Sequence, residues 1–320
     1  YQALIEITQP LFNRQRYATL NEQLNINTQI NNNNTVLTEH DIEKIVTDQY
    51  ILCLQSNKEA AYAEAMVQLL TDQKEVVQRL VENGLYKQSD FILLHIEYQN
   101  FLAQSTTFKA AYRKNLMDLN ILCGINDTAL VQLADIELSL NNTVTSSLFL
   151  EKYRLDSLQL ISQQKAFELK YKPEVNLFAN TGLNAVYAPT IPQRFGISAG
   201  ISFTYNLFDG NQKAINQHKA MALEQSISFY KNNFITQNTV RKARILTELQ
   251  SYADRISIVQ QQLKDYNMLL NSYKMEILSG QLSIINYISV IKDMATLQKD
   301  YTLLFTQQQL LINAYNYWNW

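Results

Sequence analysis

Three histidines and two cysteines are the residues of this 320-residue chain best suited to catalysis or metal binding, and their placement supports neither. His40, His95 and His218 stand far apart, with no metal-ligand spacing and no Ser/His/Asp grouping around any of them. They read as helix-surface or seam residues. No glycine-rich phosphate loop occurs. The chain is therefore expected to be no enzyme and to carry no cofactor and no metal. Cys53 and Cys123 are too few for a disulfide framework and read as two buried free thiols, although a single bridge stays open. Lys and Arg number 27 against 29 Asp and Glu, which leaves no basic footprint for nucleic acid.

With chemistry set aside, the elements carry the information. Seven glycines and four prolines are far too few for a turn-rich fold, so long uninterrupted helices are expected. The prolines (Pro10, Pro173, Pro189, Pro192) all lie at or between stretches of alternating polarity. Apolar residues elsewhere follow alternating steps of three and four: Leu249, Tyr252, Ile256, Val259, Leu263, Tyr266, Leu270, Tyr273, Ile277 form one heptad seam. It resumes after Gly280 with Tyr287, Val290, Met294, Leu297, Tyr301 and Leu304. The matching positions 196 residues earlier are Phe91, Leu94, Tyr98, Phe101, Ser105 and Phe108, and Gly84 matches Gly280 at the same offset. The strings TQPLFNRQRYA (8–18) and TYNLFDGNQKA (204–214) repeat that offset again. An internal duplication follows. Each copy is a helical hairpin turning at its one glycine, with an outgoing helix of about 70 residues, roughly 105 Å, and a return over 89–122 or 284–318. Residues 125–145 read as an irregular connection, and the Asn-rich run 25–35 as a polar helix face with room for a local break.

At the repeated strings an alternating stretch passes into a helix. Asp209 is placed to cap the second helix, with Gln212 at the reciprocal position and Gly210 at the bend; Asn13 is the cap in the first copy. The strands before the second junction are amphipathic. GISAGISFTYNLF (196–208) sets Ile197, Ala199, Ile201, Phe203, Tyr205 and Leu207 against Ser198, Gly200, Ser202, Thr204 and Asn206. EVNLFANTGLNAVYA (174–188) alternates as well, ending in Ala185 and Tyr187, and PTIPQR joins the two as an antiparallel hairpin. No run of about 18 apolar residues exists, so any membrane crossing falls to these strands, apolar face toward lipid. The chain starts at Tyr1 within the first alternating stretch, without Met or apolar leader, so upstream sequence is expected.

The strand ending YNLFDG before a long proline-free helix, the turn VENGLYKQSDFI with its copy EILSGQLSIINYI, and the YKPEVNLFANTGL entry into a strand pair resemble the TolC-type outer-membrane efflux and secretion channels over essentially the whole chain. The resemblance implies a mainly α protein with a small β part. A homotrimeric twelve-stranded β-barrel would join a long periplasmic α-helical barrel, and three of each protomer's four strands would be present here. It implies an outer-membrane exit duct of a tripartite efflux or type I secretion system, opened by a periplasmic adaptor (membrane fusion) protein and an inner-membrane RND or ABC transporter. Cargo stays open among drugs, metals and proteins.

Carried over by position, the resemblance gives a periplasmic constriction at Asp90, Gln281, Asn286 and Ser289 and an adaptor-contacting tip at Gly84, Leu85, Gly280 and Leu282. It also gives strand–helix junctions at Asn13, Asp209 and Gly210, and a lipid-facing set of Ile197, Ile201, Phe203 and Tyr205. Residues 1–145 form the first repeat and 146–320 the second. A coiled-coil structural or surface protein with a small capping sheet is the alternative, and a helical pore-forming toxin a third.

Overall fold

The computed structural model describes residues 2–141, 147–184, 189, 193 and 195–320. Of these residues 76% are helical, and three strands among them form a small sheet. In chain order the elements are β1 (Gln2–Leu11), α1 (Arg14–Glu82), α2 (Gln88–Leu122), α3 (Leu148–Glu168), a 3₁₀ turn (Leu169–Tyr171), β2 (Glu174–Asn184), β3 (Phe195–Thr204), α4 (Gln212–Leu278) and α5 (Ile284–Trp318). Ala185, Tyr187 and most of the PTIPQR link fall outside the described residues. Two compact units share these elements, one of residues 1–37 and 146–236 and the other of 38–145 and 237–320, so each draws on both halves of the sequence.

The first unit holds the sheet. Its order is β1-β2-β3, antiparallel throughout, with Ile5 opposite Thr181 and Leu177 opposite Ile201. Because odd residues pair with odd, Ile5, Ile7, Leu177, Ile197, Ile201 and Phe203 share one face. The opposite face carries Glu6, Thr8, Asn176, Asn180, Ser198 and Ser202, with Phe178 lying over Gly200. Gly182 lets β1 approach: a Cβ there would stand 2.0 Å from the Ala3 carbonyl oxygen. Helix α3 fastens to α1 through Lys165–Glu22 (2.8 Å) and buries Leu155 and Ser162. On α4 it meets Phe234 with Phe149 and Tyr153. Helix α1 runs unbroken through the Asn-rich stretch, where Ile26 and Asn33 are buried, so no local break occurs.

The second unit is built on the heptad seam. Along α4, Leu249, Ile256, Leu270 and Ile277 are buried and the seam residues between them half-buried, while the flanking polar positions are largely exposed. One buried cluster joins Met66, Leu70 and Val77 of α1 to Leu94 and Phe101 of α2, Leu270 and Ile277 of α4, and Tyr287, Ile291 and Met294 of α5. The two turns match. Gly84 (φ 74°) donates to the Val81 carbonyl and Leu85 to that of Leu80, while Gly280 (φ 73°) and Gln281 do the same to Ile277 and Glu276. Each is a glycine C-cap in the left-handed region, closing the last helical carbonyls. Residues 125–141 carry no regular structure and are tied down by the Tyr50 hydroxyl on the Ala134 carbonyl (2.7 Å) and the Tyr112 hydroxyl on that of Val131 (2.6 Å).

Two expectations are corrected. The second alternating stretch stops being a strand at Thr204, because its partner β2 begins at Glu174 directly after Pro173, and Asn206 instead donates to the Lys170 carbonyl. Tyr205 and Leu207 therefore lie beyond β3. The cysteines are both free, but only Cys53 is buried; Cys123 caps the end of α2, where the chain turns at Gly124, and is exposed. Burial pushes the Cys53 thiol up to about 11. Maleimide labelling of the native protein at pH 8 should therefore modify Cys123 and spare Cys53. Two labels per chain without denaturant would contradict this packing.

Candidate functional site

Helix start positions bring the residues of the turn region together. Lys87 and Ser283 are the caps of α2 and α5, so Asp90 and Asn286 are each the third residue of their helix. The Asp90 carboxylate accepts from the Lys87 N–H at 3.0 Å, the one half of a capping box that a lysine cap allows, and lies at the positive end of the helix dipole. Asn286 is exposed and its N–H donates to the Ser283 carbonyl at 3.1 Å. Ser289 and Gln281 are also exposed. Leu85 is 55% exposed, whereas Leu282 is 7% exposed and packed inside the helix cluster. Leu85 Cδ2 would stand 3.7 Å from a Cβ on Gly280, so the two turns are neighbours.

Two polar links that the sequence did not signal fasten the turns and the return helices. The Tyr86 hydroxyl, at the end of the first turn, donates to the Leu282 carbonyl at 2.7 Å, with that of Ile277 at 3.3 Å. Burial, and then the Asp90 charge beside it, holds the Tyr86 phenol above its usual range. The hydroxyl thus stays a donor below about pH 10, and its contribution is lost only as pH rises through that raised value. Further along, Lys292 of α5 reaches Glu97 of α2 at 3.0 Å; the Glu97 side chain is 5% exposed and also accepts from Asn100. A buried carboxylate of this kind depends on its partner.

The histidines do not converge. His40 stacks on Tyr317 and Trp320, His95 sits by Lys74 with Phe91 and Tyr98, and His218 is exposed on α4 in the other unit.

The sheet unit offers a different geometry. Ile197, Ile201 and Phe203 are 76%, 69% and 68% exposed, and Ile5 and Ile7 are similarly open, so the apolar face has no cover among the described residues. Tyr205, just past the strand, is 49% exposed. β1 and β3 each leave one edge unpaired among the described residues. At the second junction Asp209 accepts from the Lys213 N–H (2.8 Å) and the Asn211 N–H (3.0 Å), after Gly210 and Asn211 turn through positive φ. The Lys213 N–H, then the Tyr171 hydroxyl, hold this carboxyl below its usual range. At the first junction Asn13 participates through its carbonyl, which accepts from the Tyr17 N–H, and the positive φ falls on Phe12 instead.

Tyr287 provides a test of the packing under the turns. It is fully buried and its hydroxyl has no partner among the described residues, and burial drives the phenol far above its ordinary value. Removing that orphaned hydroxyl by Tyr287→Phe should raise stability by about 1 kcal/mol, read as a higher melting temperature of the purified protein. A clear loss would show that the hydroxyl is bonded.

No family sequence model matches the chain, and no curated protein sequence matches it. Solved structures do. The outer membrane protein VceC from Vibrio cholerae superposes with a TM-score of 0.75 at 14% identity, covering 99% of this chain and 86% of that one. The Campylobacter jejuni CmeC outer membrane channel gives 0.75 at 10% identity, covering 99% and 71%. The open state of the Neisseria gonorrhoeae MtrE outer membrane channel gives 0.69 at 10% identity, covering 100% and 80%. The long paired helices, the matched glycine turns and the small amphipathic sheet together give this chain the fold of the TolC-type outer-membrane channels.

Proposed function

We propose that the chain is the protomer of a passive outer-membrane exit duct. Three copies would close one twelve-stranded barrel, of which three strands per protomer are described here, and continue it as a helical barrel in the periplasm. The observation that carries this reading is the sheet: a whole apolar face exposed, a small polar face behind it, and two unpaired edges. Three strands cannot close on themselves, and open edges are not tolerated in hydrocarbon, so membrane insertion requires other copies. The polar face with Asn176, Asn180, Ser198 and Ser202 then lines a water-filled lumen. Residues 1–145 and 146–320 are read as two structural repeats, supported by α2 and α5, each 35 residues long and starting 196 residues apart.

In this reading the turns form the periplasmic end. Gly84, Leu85 and Gly280 belong to the tip met by an adaptor, with Leu282 packed beneath them rather than touching it, and Asp90, Gln281, Asn286 and Ser289 to the constriction, served by an RND or ABC transporter of the inner membrane. The Tyr86 and Glu97–Lys292 links are latches that hold the closed arrangement. The double variant Tyr86→Phe with Glu97→Gln should raise single-channel conductance in planar bilayers severalfold, with trimer stability little changed. Unaltered conductance would remove the latches from the gate.

The membrane reading has its own test. Ile201→Arg or Phe203→Arg places a charge on the lipid face at about 2 to 4 kcal/mol per protomer near mid-membrane. Outer-membrane fractions should lose the detergent-stable trimer seen for the wild type. A wild-type protein that stays soluble and monomeric would favour the capped coiled-coil alternative.

A further inference from the structure

The polar face of the sheet keeps its charges at separate levels. Among the described strand residues of that face only Glu6 and Glu174 are charged. Glu6 stands opposite Asn180, six residues along β2 from Glu174 and so about 20 Å away. At the Glu174 level a cleft of about 440 Å³ opens between the start of α1 and the 3₁₀ turn. Thr204, which pairs with Glu174, also lines it, so the cleft belongs to the polar face.

Three cations line this cleft, Arg16, Lys170 and Lys172, against the one carboxylate. Arg16 is spent on Glu174 at 3.0 Å. Lys172, extended as the residue before Pro173, continues the alternation of β2 and so falls on the same face as Glu174. Its ammonium donates to the Gln15 amide oxygen, and that of Lys170 lies over the Phe167 ring. Neither lysine has a carboxylate partner among the described residues. Beside the cleft, Asp209 and Lys213 meet at Tyr171 and offset each other. Two uncompensated positive charges are left on each protomer.

We propose that the lysine pairs of three protomers form a positive ring in the lumen, where the barrel meets the helical duct, and that this ring favours anionic cargo. This rests on the exit-duct reading above. Twelve strands tilted by about 40° close at a radius of roughly 12 Å. The Debye length at about 0.1 M salt is close to that, about 10 Å, so the field reaches the axis. Three such pairs enrich a monovalent anion there about threefold, deplete a cation by the same factor, and act more strongly on cargo with several carboxylate, phosphate or sulfate groups. Glu6, about 20 Å off, is screened from this level. Diffuse attraction of this kind suits a conduit, because it admits an anion without trapping it.

The test is the reversal potential of the full chain in planar bilayers under a KCl gradient. Near 0.1 M, Lys170→Gln with Lys172→Gln should lower the chloride-to-potassium permeability ratio about threefold, and each single change should fall between. Lys170→Arg with Lys172→Arg should recover the ratio, because the charge and not the ammonium carries the effect. Near 1 M, where the Debye length is about 3 Å, wild type and double variant should converge. A double variant with the wild-type ratio, or a difference that persists near 1 M, overturns the proposal. Those results refute only the ring, whereas a wild type that forms no conducting channel refutes the exit-duct reading itself.

Discussion

Every backbone N–H and C=O removed from water must find a partner, and the described sheet leaves two rows of them open. Helices cannot supply those partners, because an α-helix uses its own. That single shortage organises much else. The apolar face on β1, β2 and β3 is left bare because no helix of the same unit is committed to covering it: α3 is spent on α1 and α4, through Leu155, Ser162 and the Phe234 contacts. Helix–helix pairing and strand exposure are thus two sides of one allocation of apolar surface.

The second unit solves a different problem, that of keeping very long helices in register. Interdigitated seam residues do this along α2, α4 and α5, and the glycine turns set the phase at one end. A buried polar strip on α5 does it along the other side. Thr302, Thr306, Gln309 and Asn313 follow the same three-and-four spacing as the apolar seam, and Asn313 bonds both the Lys44 carbonyl and Asp48 of α1. Gln309 accepts from the Leu138 N–H of the irregular segment. Such directional bonds fix an axial position that apolar packing alone would let slip.

That strip also marks the limit of what could be read from the chain. Apolar residues at heptad spacing announce themselves, so the seam from Leu249 to Ile277 was visible, and so were Gly84 and Gly280, because a lone glycine in a long helical pattern has few other uses. Asp209 was legible as an acceptor for the helix start, but α4 begins three residues later at Gln212, so Gln212 does not take the reciprocal place expected of it. Thr302, Gln309 and Asn313 were not legible, since a polar residue carries the same letter whether it faces water or a partner helix. The end of β3 depended on where β2 starts, which is a pairing fact. Cys123 looked like a buried thiol by habit of its type, but the turn at Gly124 exposes it. Tyr86 carried no signal, because its partners are carbonyls, which every residue possesses. For the turn residues Asp90, Asn286 and Ser289, sequence position set their place in the helix, while their neighbours came only from the packed turns.

The two junctions are unequal in length. β1 passes into α1 through two residues, Phe12 and Asn13, whereas β3 reaches α4 only after seven, Tyr205 to Asn211, among them two successive positive-φ residues. Length is not looseness here: the longer junction is pinned by Asn206 on the Lys170 carbonyl and by Asp209 on the Asn211 and Lys213 N–H groups. The shorter one instead takes its whole change of direction at a single residue, Phe12, the one positive φ between β1 and α1.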